Sequence, residues 1–181
     1  MFLIIKQDVK SYLKLTSDTK DTVIDALIPQ VEKFALNHCN RPSFISGEIS
    51  EYFNGGGRVF ILHQLPVDIT KTFKVYEDYD RVFGEDTLVD SADYAVDPDS
   101  GILKFDYDTE DHFRSIKVIY TGGYESDAIP DDLKLALVEM VVLSMKEGEG
   151  GELGVSSRSL PDGSVNFLKH DVPKELNFYI I

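Results

Sequence analysis

The stretch from Ile129 to Met145, IPDDLKLALVEMVVLSM, constrains the fold more than any other. Pro130 suits the first turn of a helix, where its missing N–H has no partner to lose, and Asp131 and Asp132 place negative charge at the positive end of the dipole. The apolar residues that follow do not keep to one stripe. Leu133, Ala136, Leu137, Met140 and Val141 share one face, while Leu135, Val138 and Val142 cover much of another. Such a helix must be covered on more than one side. The apolar run is shorter than the ~20 residues that a bilayer requires, so the second face meets the rest of this chain or another copy of it. We expect a central helix over 126–147. Its Leu133, Leu137 and Met140 face turns to another helix of the chain, and Leu135, Val138 and Val142 form a candidate subunit interface.

Charge narrows the function classes. The chain carries 32 acidic residues against 18 basic ones, a formal charge of −14, which weighs against free binding to nucleic acid or to an anionic membrane. Hydrophobic residues make up 43% of the sequence and charged ones 28%, so a packed core is expected rather than disorder. Cys39 is the only cysteine, and the opening MFLIIKQDVK lacks the basic region and long apolar run of a signal peptide. A cytoplasmic site of assembly is therefore expected.

Along the 181 residues, a single domain is expected, with helices over 1–46, a β-rich acidic insert over 47–121, the central helix, and a loop with an extended C-terminal segment over 148–181. Val9, Tyr12 and Leu13 mark a short helix from Asp8 to Leu15. Thr16, Ser17 and Asp18 offer caps for a long one that runs to about Asn40 on Val23, Ile24, Leu27, Ile28, Val31, Phe34, Ala35 and His38. Pro29 predicts a kink or break there. Strands are expected at Ile49 to Phe53, Arg58 to Leu62, Ile69 to Tyr76, Tyr94 to Val96, Ile102 to Phe105 and Ile116 to Tyr120. The first two flank NGGG and read as a hairpin; DPDSG forms a turn in which Gly101 takes a positive φ. No helices separate the strands, so the fold class is α+β with an antiparallel insert. Lys146 to Gly154 reads as a loop, and the final Phe178, Tyr179, Ile180 and Ile181 form an apolar end that needs a surface to dock on.

Acid is concentrated. Glu77 to Asp111 holds 13 acidic residues against Arg81 and Lys104. These read as solvated loop tips, as a negative surface facing DNA or a basic partner, or as a calcium site, although the spacing departs from the calcium-loop pattern. Neither His38 with Cys39, which point about 100° apart on a helix, nor His63 and His112 make a metal set. Carboxylate pairs suited to glycoside hydrolysis can be drawn from any acid-rich chain, and GxSxG, phosphate-loop and CxxC patterns are missing from the sequence. Neither an enzyme nor a cofactor or metal is expected.

The order of segments carries a resemblance. VKSYLKL, then VIDALIPQVEKFALNHCNRPSF, EYFNGGG, YAVDPDSGILKF, VIYTGGYESDAIPDDLKLALVEMVVLSM and GVSSRSLPDGSVNF is similar to the head-tail connector, or adaptor, proteins of long-tailed bacteriophages over roughly Ile4 to Phe167. Pro29 and a longer, more acidic region between Val75 and Tyr94 depart from that pattern. The resemblance implies a structural protein of the virion neck that forms a ring of about twelve copies. The ring would dock under the portal protein, extend the DNA channel and meet a tail-side stopper or completion protein, with DNA passing through without specific binding and no membrane involved. It also implies that the C-terminal segment grips the portal, which makes Phe178, Tyr179, Ile180 and Ile181 candidate docking residues. Asp78, Asp80, Glu85 and Asp86 are candidates for the channel-facing acids. A calcium- or partner-binding β module on a helical scaffold is the alternative.

Overall fold

The computed structural model describes residues 2–150, 157–160, 163–166 and 173–180, with side chains described for 2–146 and 173–180. The chain divides into two compact units. One joins Met1–Cys39 to Pro130–Ile180 and is helical; the other, Asn40–Ile129, carries two of the β-sheets.

In the helical unit, α1 spans Lys6–Leu13. Ile5 N–H donates to the Asp8 carboxylate at 2.7 Å, closing the first turn, and Lys14 ends the helix in the left-handed region with φ 54°. Helix α2 spans Asp21–His38 and runs continuously through Pro29, so the expected break is absent. Ile24, Ile28, Val31 and Ala35 are buried on one stripe to either side of the proline. Burial on that stripe offsets the roughly 3 kcal/mol that proline costs inside a helix. Nor does Asp18 cap α2. Its carboxylate and that of Asp21 instead hold the buried Lys10 ammonium at 2.6 and 2.9 Å, since a charge removed from water needs partners more than a helix end does.

Helix α3 spans Asp131–Gly150 and packs against α1, α2 and a C-terminal 3-10 segment at Lys174–Tyr179. It continues through Lys146 to Gly150, residues expected in a loop. Pro130 stands just ahead of it, and its carbonyl accepts the bond from Lys134 N–H at 3.1 Å. The expected extended segment is realised in part as an antiparallel pair, β7 (Ser157–Leu160) with β8 (Gly163–Asn166).

The β unit holds two antiparallel three-stranded sheets. In the first, β6 (Ile116–Gly122) lies between β1 (Gly47–Phe53) and β3 (Phe73–Glu77); in the second, β5 (Ile102–Phe105) lies between β2 (Val59–Ile61) and β4 (Tyr94–Asp97). Val75, Ile116, Val118 and Tyr120 from the first join Phe60, Leu103 and Phe105 from the second in one core. Gly101 adopts φ 68° in the turn between β4 and β5, as expected.

The β1–β2 hairpin is corrected. β1 pairs with β6 and β2 with β5, so NGGG carries the chain from one sheet to the other. The glycines are used for close approach. Gly55 N–H donates to His112 O at 2.9 Å and Gly56 N–H to Thr109 O at 3.2 Å, and a Cβ on Gly55 would lie 1.9 Å from Glu110 O. A side chain there would expel the segment that holds the loop.

Candidate functional site

The exposed side chains of α2 and α3 form the first surface. On α3, Leu133, Leu137 and Met140 are buried, as expected of the face turned to the chain. Of the three candidate interface residues only Leu135 is free, at 43% exposure; Val138 and Val142 are covered by the chain itself at 5% each. The correction has a physical origin, because α3 packs against α1, α2 and the C-terminal 3-10 segment, more neighbours than a one-sided helix has. On α2 the apolar face is wider than the core uses. Val23 and Phe34, about three turns apart on one side of the helix, remain exposed beside the buried stripe. Their excess over that stripe was visible in the sequence pattern, although nothing there separated them from it.

At the C-terminal segment, expectation and structure part. Leu176 is fully buried and its carbonyl lies 3.6 Å from Cys39 Sγ. Tyr179 is buried as well, its hydroxyl donating to Asp132 Oδ1 at 2.7 Å, so this candidate docking residue is anchored on its own chain. Phe178, 83% exposed, and Ile180 point outward; Ile181 lies outside the described residues. The alternation follows from a 3-10 turn whose inward positions are taken by Leu176 and Tyr179.

The acidic loops are built rather than merely solvated. Asp78, a candidate channel residue, is buried, and its carboxylate accepts N–H bonds from Asp80, Val82 and Phe83 at 2.8, 2.8 and 2.6 Å. The Phe83 N–H above all, helped by those of Asp80 and Val82 and opposed by burial, holds this carboxyl below the ordinary carboxylate value. Asp78 thus organises the loop and is corrected as a channel residue, while Asp80, Glu85 and Asp86 are exposed. Phe83 then folds back over Tyr52, with ring centres 5.7 Å apart, and lies 5.4 Å from the Lys117 ammonium. Lys117 also faces Tyr76 across the sheet, and the Arg114 guanidinium covers Tyr52 at 4.5 Å. Nearby, the Glu77 carboxylate accepts from Tyr107 at 2.7 Å and from Tyr79 at 3.4 Å; burial first, then that carboxylate, pushes the Tyr107 hydroxyl well up.

Behind the sheet a buried polar chain is fully bonded. Tyr120 donates to Glu51 at 2.7 Å and accepts from Gln64 N–H, and Glu51 also meets His63 Nδ1 at 2.9 Å. Gln64, wholly buried, spends its amide on Ser43, Ile45 and Gly122. Among the described residues, no cluster of three or more His, Cys, Asp or Glu could hold a metal, and no helix is long and apolar enough to cross a membrane.

The described surfaces present apolar side chains set outward on α2, α3 and the C-terminal 3-10 segment. A family model described as head completion protein matches residues 2–161, and the chain belongs to that family. It is a structural component that joins head to tail in tailed, phage-like particles, and not an enzyme. Among solved structures, it is similar to a chain in the neck of an empty gene transfer agent particle computed with C6 symmetry. The TM-score is 0.60 at 15% identity, over 98% of this chain and 89% of that one. The virion of the native gene transfer agent particle gives the same values. The neck of the native particle computed with C12 symmetry gives a TM-score of 0.50 at 15% identity, over 83% and 80%. These likenesses concern the fold. No protein of curated function matches.

Proposed function

We propose that this protein is the ring-forming adaptor of the neck, seated under the portal so that it extends the DNA channel towards the tail. The observation that carries the reading is the family match together with a fold shared, over 98% of the chain, with a chain of a neck structure computed with C6 symmetry. A related neck structure was computed with C12 symmetry, which supports a ring of about twelve copies here.

A cyclic ring needs two different patches on each copy. The exposed Val23 and Phe34 on α2 suit one, and Leu135 on α3 suits the other. Phe178 and Ile180 are the docking residues for the portal, presented by a segment that Leu176 and Tyr179 hold in place. Asp80, Glu85 and Asp86 suit a channel wall that repels the phosphate backbone, so that DNA passes without sticking. The remaining partner is the tail-side stopper or completion protein. The place of action is the virion neck, assembled in the cytoplasm of the bacterial host.

Mixing the purified chain with its portal and examining it by negative stain and native mass spectrometry tests this. Rings of the adaptor capping portal rings are expected; a chain that stays monomeric beside intact portals would sink the reading.

A further inference from the structure

β2 is the outer strand of its sheet, and its pairing leaves one side open. Leu62 N–H donates to Gly101 O at 2.9 Å and Arg58 O accepts from Phe105 N–H at 2.8 Å, so positions 58, 60 and 62 face β5. Val59 and Ile61 fall between them. Their N–H and C=O groups point away from β5, and among the described residues nothing bonds to them.

The side chains repeat the pattern. Val59 and Ile61 are 54% and 51% exposed, and Ile102, directly across from Ile61, is 41% exposed. Natural edge strands are blunted by lysine, proline or a covering loop; β2 reads Val-Phe-Ile and carries neither lysine nor proline. A cleft of about 460 Å³ lies against it, lined among others by Phe53, Gly56, Phe60 and His63. Its aromatic wall is preset: Phe53 packs on Phe60 at 5.7 Å and stacks on His63 at 6.4 Å, and Glu51 holds His63.

We propose that this edge accepts an extended segment of a different protein, one that alternates apolar and polar side chains and carries basic residues at its ends. Free backbone donors and acceptors in register call for another strand, since only a strand meets them at this spacing. The exposed Val59, Ile61 and Ile102 call for apolar residues at every second position. Charge then selects among strands. Lys104 stands across from Val59 and Arg58 is spent on Asp108 at 2.8 Å, but Asp111 lies beside Gly56 at the cleft and the stretch from Glu77 to Asp111 holds 13 acids against two bases. A second copy would bring the same acidic stretch to this edge, so a basic-ended segment of another protein matches it better. The inference does not depend on the neck reading.

The test uses the isolated chain and the blocked peptide Lys-Thr-Val-Thr-Val-Thr-Lys at millimolar concentration, read by amide hydrogen exchange. The Val59 and Ile61 amides should slow by at least about tenfold as the peptide saturates the edge. The same peptide with Glu at both ends should protect them much less, and Ile61→Lys should abolish protection while the melting curve stays unchanged; Val59→Lys serves if that variant misfolds. Equal protection by the two peptides, or none by the Lys-ended one, overturns the proposal. Protection that rises with protein concentration alone overturns it too, because the occupant is then a second copy.

Discussion

The Tyr179 hydroxyl donates to Asp132 Oδ1 at 2.7 Å, tying the end of the described chain to the first turn of α3. The bond makes one short segment serve two purposes. Its inward residues, Leu176 and Tyr179, belong to the core of the helical unit, while Phe178 between them is 83% exposed.

Substitutions in that segment should separate the two purposes. Leu176→Ala is expected to cost about 2–5 kcal/mol by urea denaturation, as a fully buried leucine does. Tyr179→Phe should cost about 0.5–1.5 kcal/mol. Phe178→Ala should stay within about 0.5 kcal/mol of wild type and yet weaken capture by portal rings. Equal stability losses at positions 176 and 178 would mean that the segment has only a packing role.

The Asp78 loop makes a pH prediction. Its carboxyl is held below the ordinary value in the folded chain, so its contribution to stability is complete above the unfolded value of about 4 and is lost as pH falls through the lower folded value. Asp78→Asn should therefore speed exchange at the Val82 and Phe83 amides at neutral pH. It should also flatten the acid limb of the stability curve; a limb with wild-type shape would show that the loop does not depend on this carboxylate.

Two glycines are expected to resist the smallest possible change. A Cβ on Gly55 would meet Glu110 O at 1.9 Å, and one on Gly122 would meet Gln64 O at 2.1 Å, both backbone atoms that cannot swing aside. Gly55→Ala and Gly122→Ala should each lose about 1–3 kcal/mol or more, measured as a lower Tm, whereas Gly57→Ala, with nothing within 4 Å, should not.

On the helices, Phe34→Asp and Leu135→Asp remove exposed side chains and should leave the monomer within about 0.5 kcal/mol of wild type. Native mass spectrometry with the portal should then show incomplete rings or none. Full rings from both variants would move the subunit contact elsewhere.

Much of the helical unit was legible because its signals are local. Proline and two aspartates mark the start of α3, and 3.6-residue spacing marks α2; both depend on neighbours within a few positions. Which of the apolar residues stay exposed was not legible. Val138 and Leu135 are both apolar and three positions apart, and only the elements packed around α3 decide that one is covered and the other is not. Asp78 and Asp80 are likewise the same residue two positions apart. One is buried under three N–H donors because the loop closes over it.

By itself the sequence determined the two N-terminal helices, the start of α3, the approximate places of the six strands between residues 47 and 122, the α+β class and the concentration of acid between Glu77 and Asp111, since each follows from side-chain type and spacing along the chain. The tertiary structure alone decided that β1 and β2 part into different sheets. Strand pairing joins residues distant in sequence, and the glycines between those strands serve the approach of residues 109–112 rather than a hairpin turn. It also decided that Tyr179 is an anchor and Phe178 a free contact, because a 3-10 segment can turn only one side to the helix that holds it.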